Sequence, residues 1–250
     1  MSTVIREIQA KSILSRSGIP GADYCINAYV GCTHACIYCY ATFMKKYTGH
    51  TEPWGKFVDI KMNAPALLRK QLRKASRGTV MLSSVTDAYQ PLEAKFRLTR
   101  QCLEILADAR FPVDILTKSP LVLRDLDVIR RFEDIDVGVT VTTDDERMRR
   151  VFEPHAPAIS ARIETLRKLK DQGIRTYVFI GPMLPMDPEK LAARIRGSAD
   201  EVLISRMNYL SKSAHIFRRL KMMQWLDQGF ADEVKTRLKH ALGKKNITEC

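Results

Sequence analysis

The chain has 250 residues, 45% of them hydrophobic, and carries 41 Lys+Arg against 28 Asp+Glu for a net charge of +13. That length holds one large domain or two small ones with an ample core, and no run of about 18 apolar residues offers a membrane span. The opening residues, MSTVIREIQAKS, lack the apolar stretch of a secretory signal, so the expectation is a cytoplasmic protein with reduced cysteines. A basic excess of this size attracts polyanions, nucleic acid foremost. It is concentrated in two places: Lys61–Arg77 has six basic residues and no acid, and Arg206–Cys250 has ten basic residues and four acids. Solvated helix faces would account for the same charge.

In chain order, strands are predicted at Ile26–Val30, Phe57–Ile60, Thr79–Ser83, Val113–Thr117, Asp136–Thr142, Arg175–Ile180 and Glu201–Ser205. Most read as continuous apolar runs, such as VDIL and TYVFI, and so as strands buried on both faces. Helices alternate with them. Leu98, Cys102, Ile105, Leu106 and Ala109 recur at helical spacing and share one face. Ser119 and Pro120 have the character of an N-cap and first-turn pair, opening a helix to about Phe132. Ile159–Gln172 repeats Ile159, Ile163, Leu166 and Leu169 at helical spacing before Gly173 at the C-terminal stop. A further helix runs from Pro188 to near Gly197, and the chain is helical again from about Ala214. Strands separated by helices pair in parallel, so the expected fold is α/β, a partial (β/α)6-type TIM barrel of parallel strands with a helical C-terminal extension. Its boundaries are 1–205 for the barrel and 206–250 for the basic extension. Chemistry in such a barrel sits at the C-terminal ends of the strands.

Six cysteines are present: Cys25, Cys32, Cys36, Cys39, Cys102 and Cys250. In a reducing compartment, clustered cysteines are metal ligands or catalytic groups before they are disulfides. Cys32, Cys36 and Cys39 stand at spacing x3 then x2 in one loop. Three thiolates from a tight loop suit a cubane 4Fe–4S cluster and leave one iron open to an external ligand. Zinc is the competing reading, with His34 as a fourth ligand. Against it, ligands packed so closely strain a tetrahedral site, and no second CxxC pair exists. Cys102 lies on an apolar helix face and is expected in the core; Cys25 precedes a strand, and Cys250 ends the chain.

The loop CTHACIYC, with aromatic Tyr38 just before the last cysteine, resembles the signature of the radical S-adenosylmethionine superfamily. The resemblance extends to Asn27-Ala-Tyr-Val-Gly-Cys32, Tyr38-Cys39-Tyr40-Ala41, Thr86-Asp87-Ala88-Tyr89-Gln90-Pro91-Leu92-Glu93, Leu98-Thr99-Arg100, Ile115-Leu116-Thr117-Lys118-Ser119 and the stretch from Glu153-Pro154 to Arg162. These are similar to the spore photoproduct lyase-like group, also called DNA-repair photolyase-like. The resemblance implies two cofactors, a 4Fe–4S cluster on Cys32, Cys36 and Cys39, and S-adenosylmethionine. The open iron would chelate the methionine amino and carboxylate groups. One electron would break the sulfur–C5′ bond to give methionine and a 5′-deoxyadenosyl radical, which abstracts hydrogen from substrate. The cofactors carry that chemistry and the protein binds, orients and shields them.

Site roles follow from position and resemblance. Ser83, Ser84 and Thr86 close a strand at the expected mouth, with hydroxyls suited to the methionine amino group. Lys118, at the end of the next strand, would pair with the methionine carboxylate. Thr140, Thr142 and Thr143 end the following strand near the ribose, although threonine also favours strands intrinsically. Arg162 occupies the position of a family arginine near the cofactor, and equally fits a solvated helix face. Tyr38 offers main-chain groups to adenine. Asp87, Tyr89 and Gln90 fit either a substrate-side or a scaffold role. Spore photoproduct lyase itself uses a cysteine near its substrate as hydrogen donor, and Ser83 and Ser84 stand where it would be sought, which argues against that particular repair reaction. Expected partners are nucleic acid and a reductant such as flavodoxin or ferredoxin. Two other functions fit the residues: the same chemistry on a peptide or small metabolite, or an iron–sulfur protein for electron transfer or sensing without radical catalysis.

Overall fold

In the computed structural model, which describes residues 3–243 and 247–249, the first elements are two strands that polar sequence concealed. Strand β1 (Val4–Ile8) and β2 (Leu14–Arg16) are mostly exposed, so neither shows the apolar run that marks a buried strand. The predicted strand Ile26–Val30 is instead two: β3 (Tyr24–Ile26) and β4 (Tyr29–Val30), in different sheets. The break falls at Asn27, whose Nδ2 donates to Ser84 Oγ (3.1 Å) and whose Oδ1 accepts from the Val85 N–H (2.9 Å). Its side chain takes the place of a ladder bond, and the chain changes sheet.

Two compact units follow from the chain path. The first comprises Met1–Ala35 and Ala41–Val137. It contains β5 (Phe57–Lys61), α1 (Ala64–Leu72), β6 (Val80–Leu82), α2 (Glu93–Phe96), α3 (Leu98–Asp108), β7 (Val113–Thr117), a 3₁₀ segment Pro120–Asp125, α4 (Leu126–Ile129) and the start of β8 (Ile135–Thr140). One small sheet has the order β1-β5-β4, with β1 parallel to β5. A second runs β2-β3-β6-β7, parallel from β3 onward, with Cys25 beside Met81 and Met81 beside Asp114. The crossover from β6 to β7 is α2–α3. Leu98, Cys102, Ile105 and Leu106 of α3 are buried as the helical spacing predicts. The helix stops at Asp108, which leaves Ala109 exposed. Burial pushes the Cys102 thiol up to about 12, the mark of a core residue.

The helix expected from Ser119 to Phe132 is broken in two. Ser119 does cap it, accepting from the Leu121 N–H (3.3 Å), but the first turns are 3₁₀. That winding buries Asp125, which accepts from Arg100 Nη1 (3.0 Å) and Arg124 Nε (2.7 Å).

The second unit comprises Cys36–Tyr40 and Gly138–Cys250. After β8 come α5 (Glu146–Phe152), α6 (Ile159–Asp171), β9 (Arg175–Ile180), α7 (Pro188–Ile195), β10 (Glu201–Ile204), α8 (Leu210–Arg219), a 3₁₀ turn Met223–Leu226, α9 (Gln228–Leu242) and β11 (Ile247–Glu249). Strands β9, β10 and β11 are parallel neighbours. Helix α6 buries Ile159, Ile163, Leu166 and Leu169. Gly173 at φ +74° donates to the Lys170 carbonyl (2.8 Å), closing the helix as expected. Beyond residue 205, α9 packs on α7 and β11 pairs with β10. Cys250 lies outside the described residues. No helix among the described residues is long and apolar enough to cross a membrane.

The first unit turns on Glu93. It is fully buried and accepts from the Tyr29 hydroxyl, the Thr99 N–H (3.0 Å), the Arg100 N–H (3.2 Å) and Arg124 Nη2 (2.8 Å). It thereby satisfies the open N–H groups that start α3. Glu93→Ala is expected to destabilise the fold by about 3–5 kcal/mol, because it strands a hydroxyl, two amides and a guanidinium. Urea unfolding measures this, and a loss below about 1 kcal/mol would remove Glu93 from its central place.

Candidate functional site

The cysteine loop begins where β4 ends. Gly31, at φ +93°, starts the turn, and a Cβ there would fall 2.3 Å from the Phe57 carbonyl oxygen. Only glycine permits this approach. Cys32 and Cys36 are buried, Cys39 is half-buried, and none is in a disulfide. Two tight turns set the thiol spacing. The Ala35 N–H donates to the Cys32 carbonyl (3.3 Å) with Ala35 itself at φ +55°, and the Cys39 N–H donates to the Cys36 carbonyl (3.2 Å). Gly55 allows Ala35 this place, since a Cβ at Gly55 would lie 2.3 Å from the Ala35 Cβ.

Within the first unit, the segment after β6 grips the start of the loop. Thr86 Oγ1 (2.6 Å) and Gln90 Nε2 (3.2 Å) donate to the Gly31 carbonyl, and Gln90 Oε1 accepts from the Thr33 N–H (3.1 Å). His34, almost wholly buried, sets Nδ1 3.3 Å from Asp87 Oδ2. Asp87 also accepts from Thr117 Oγ1 (2.6 Å), the Lys118 N–H (2.9 Å) and the Tyr89 N–H (2.9 Å). Burial alone would push the Asp87 carboxyl up, but the His34 charge and these donors hold it well below the usual carboxylate range. His34 is the converse: burial lowers it, and the neighbouring Cys32 and Asp87 raise it to about 10.

Residues expected at the strand ends take distinct places. Ser83 is buried at φ +68°, its N–H donating to the Ile26 carbonyl (2.8 Å). The Ser84 hydroxyl receives Asn27, and Thr86 is bound to Gly31 as above. Lys118 is half-buried at the end of β7. Asp87, Tyr89 and Gln90 have scaffold contacts: Gln90 and Asp87 hold the loop, and Tyr89 is fully buried.

In the second unit, Tyr38 is buried and its hydroxyl donates to Glu153 Oε1. Thr142 Oγ1 donates to the same oxygen (3.2 Å), and Glu153 Oε2 lies 2.6 Å from Arg162 Nη2. Arg162 also donates to the carbonyls of Thr140 (3.2 Å) and Pro157 (2.9 Å). Both charges are fully buried. Arg162 is therefore an interior anchor and not a solvated helix face. Burial disfavours its charge, yet Glu153 keeps it raised above the ordinary value. Thr143 Oγ1 donates to the Pro185 carbonyl (2.6 Å), so it and Thr142 are tied inside the packing. The Ile37 N–H donates to the Phe152 carbonyl (2.9 Å), and Lys212 Nζ donates to the Cys39 carbonyl (2.8 Å). Met148, Phe152, Leu184, Ile216 and Phe217 pack around Cys36 and Tyr38.

His34, Glu153 and Lys212 are site residues whose roles the sequence alone did not assign. For His34 the signal was its place between two cysteines, and for Glu153 its place in a matching stretch with Arg162. Lys212 left no signal. Among the described residues, no three His, Cys, Asp or Glu side chains are placed to close on one metal ion. A cubane differs, because it presents separate irons to separate thiolates. A donor set of three cysteines outside disulfides on one loop fits that chemistry, and His34 is engaged by Asp87.

Two outcomes test this reading of the buried charges. Asp87, held low when folded, stabilises the protein above the unfolded value of about 3.9 and loses that contribution as pH falls through and below it. Asp87→Asn is therefore expected to cost about 2–3 kcal/mol at neutral pH and distinctly less near about pH 3, by urea unfolding. Equal losses at both would show that its charge is idle. Arg162→Met, which leaves Glu153 buried and uncompensated, is expected to be more damaging than the pair Glu153→Gln with Arg162→Met, by about 2 kcal/mol or more. A single variant milder than the double would overturn the ion-pair account.

Comparison with known proteins places the chain. The family model described as the Radical SAM superfamily matches residues 26–195. An uncharacterized protein of Methanocaldococcus jannaschii is 42% identical over 181 residues, 72% of this chain and 68% of that one. An uncharacterized protein of Mycobacterium tuberculosis is 33% identical over 192 residues, and the alignment spans only 56% of its length. Among solved structures, spore photoproduct lyase complexed with dinucleoside spore photoproduct has a TM-score of 0.70 at 13% identity, covering 98% of this chain and 81% of that one. A variant of that lyase with bound AdoMet and the dinucleoside gives 0.67 at 14% identity, covering 99% and 81%. At such identity the structural likeness shows the fold, an α/β arrangement with a mostly parallel sheet, similar to the partial barrel of that lyase. The family match spans most of the chain and takes in all three loop cysteines, and the chain belongs to the radical SAM superfamily.

Proposed function

We propose that the protein is a radical S-adenosylmethionine enzyme, that Cys32, Cys36 and Cys39 hold a 4Fe–4S cluster, and that its substrate is nucleic acid. The observation that carries the reading is the loop itself. Three cysteines outside disulfides stand at family spacing. Within the first unit Thr86, Gln90 and Asp87 hold residues 31, 33 and 34, and within the second Phe152, Glu153 and Lys212 hold residues 37, 38 and 39. A cluster held by Cys32, Cys36 and Cys39 would supply the electron for reductive cleavage of S-adenosylmethionine.

The chain's own residues bind, orient and exclude water. The Ser83, Ser84 and Thr86 segment serves the methionine amino group, and Lys118 supplies the cation for its carboxylate. Tyr38 serves adenine through its main chain, because its ring and hydroxyl are committed to Glu153. Thr140, Thr142 and Arg162 act through that commitment: they hold Glu153 and the backbone around it, and so hold Tyr38. The apolar group around Cys36 and Tyr38 keeps water from the loop. Two facts support nucleic acid as the substrate class. The chain is strongly basic at +13, and the structurally similar lyase was solved with a dinucleoside. A flavodoxin- or ferredoxin-type protein is the proposed reductant.

The test is anaerobic reconstitution with iron and sulfide, reduction with dithionite, and assay for 5′-deoxyadenosine. Wild type is expected to form it, and Cys32→Ala, Cys36→Ala and Cys39→Ala each to form none. A stable cluster that neither binds nor cleaves S-adenosylmethionine would overturn the enzyme reading in favour of electron transfer or sensing.

A further inference from the structure

Immediately after the third cysteine, Tyr40 is 41% exposed, and its ring stacks on that of Tyr209, itself 49% exposed. The centroids are 6.3 Å apart and the planes 17° from parallel. Lys212 lies with Nζ 5.6 Å from the Tyr209 centroid while donating to the Cys39 carbonyl at 2.8 Å. An aromatic pair is thus held at the surface beside Cys39, with a cation over the Tyr209 ring. Tyr209 is the N-cap of α8. Lys212, His215 and Arg219 follow at i, i+3 and i+7 and share one stripe of that helix. The buried face carries Ser213, Ile216 and Phe217 instead.

The charge on this helix differs in kind from the rest of the C-terminal region. Four cations there are ion-paired: Lys235 and Lys239 with Glu249 (2.8 and 2.5 Å), Arg237 with Glu189 (2.8 Å) and Arg206 with Asp232 (2.5 Å). By contrast Arg218, Arg219 and Lys221 are exposed, and among the described residues no carboxylate comes within ion-pair distance of them. The stretch from Arg206 to Lys221 contains five basic residues and no acid. The uncompensated charge therefore sits at one end of α8 and the aromatic pair at the other, about 14 Å away along the axis. That is the reach of a few nucleotides.

We propose that Tyr40 and Tyr209 are a stacking platform for an unpaired base of the nucleic-acid substrate, whose backbone runs along α8 to Arg218, Arg219 and Lys221. The inference rests on the nucleic-acid reading above and names the residues that hold the strand. A polyanion alone would account for the cations but not for the rings. A base supplies both a π face for the tyrosines and a phosphate for the arginines, and stacking of this kind tolerates any base sequence. An acidic peptide offers such a face only where it carries an aromatic side chain, whereas every nucleotide carries one. Because a paired base is covered on both sides, the site favours single strands or an extruded nucleotide.

Fluorescence anisotropy of the full, anaerobically reconstituted chain tests this, with labelled oligothymidylate, oligouridylate and a matching duplex as probes and inorganic polyphosphate as competitor. Single strands are expected to bind more tightly than duplex. Tyr209→Leu is expected to weaken single-strand binding by about tenfold, while Tyr209→Phe, which keeps the ring, leaves it unchanged. Replacing Arg218, Arg219 and Lys221 with Gln together is expected to reduce the slope of log affinity against log salt by about 2, at roughly 0.7 per phosphate contact on single strands. Tyr209→Leu binding like wild type would overturn the platform, and so would polyphosphate bound as tightly as the oligonucleotides. Failure of the radical reading would show elsewhere, as absent 5′-deoxyadenosine in the same preparations, and would leave this binding profile as it stands.

Discussion

The carboxylate of Asp87 is the point at which the start of the cysteine loop comes to order within the first unit. It meets His34 from the cysteine loop, the hydroxyl and the following N–H from the end of β7, and the N–H of Tyr89 in its own segment. A buried carboxylate with four such neighbours is stable only when all are present, and each in turn would be an unsatisfied polar group without it. The loop, two strand ends and the turn into α2 are therefore set by one requirement. Gln90 and Thr86 extend the same logic to the loop backbone by satisfying the Gly31 carbonyl and the Thr33 N–H.

The second unit solves the same problem with a full ion pair. Glu153 and Arg162 are withdrawn from water completely, which is expensive, and their mutual attraction offsets that cost only with further hydrogen bonds. Those bonds come from Tyr38, Thr142 and the Thr140 and Pro157 carbonyls. The return is geometric: a tyrosine between the second and third cysteines is fixed from its far end, so its backbone is held while its ring fills the core. Buried polar networks of this type specify one arrangement more than they add stability.

Much of this was legible in the residues. Strands β5, β7, β9 and β10 announce themselves as apolar runs, Ser119 and Gly173 mark helix ends by local chemistry, and the cysteine loop carries the family resemblance. Local signals failed where the partner is distant. Strands β1 and β2 are exposed, so their pattern lacks an apolar side. Asn27 breaks a run that reads as one strand, because Ser84 and Val85 receive it from more than fifty positions away. Arg162 has the spacing of an outward helix residue, and only the fold delivers Glu153 to it. Lys212, a cation in the first turn of α8 that reaches the Cys39 carbonyl, is likewise invisible until the chain is folded.

The motif of this family writes the residues between the first two cysteines as three blanks. In this chain each blank is filled for its own reason. Thr33 presents both its N–H (3.1 Å) and its hydroxyl (3.5 Å) to Gln90 Oε1, His34 presents a ring to Asp87, and Ala35 adopts a left-handed turn against the bare backbone of Gly55. Positions 33, 34 and 35 are thus tied to positions 90, 87 and 55. A relative that keeps the cysteines but fills the blanks differently must change those distant partners as well, so the unassigned letters of the motif record the rest of the scaffold. Substitutions at 35 and 55 in particular should travel together in descent, since a larger residue at either occupies the space of the other.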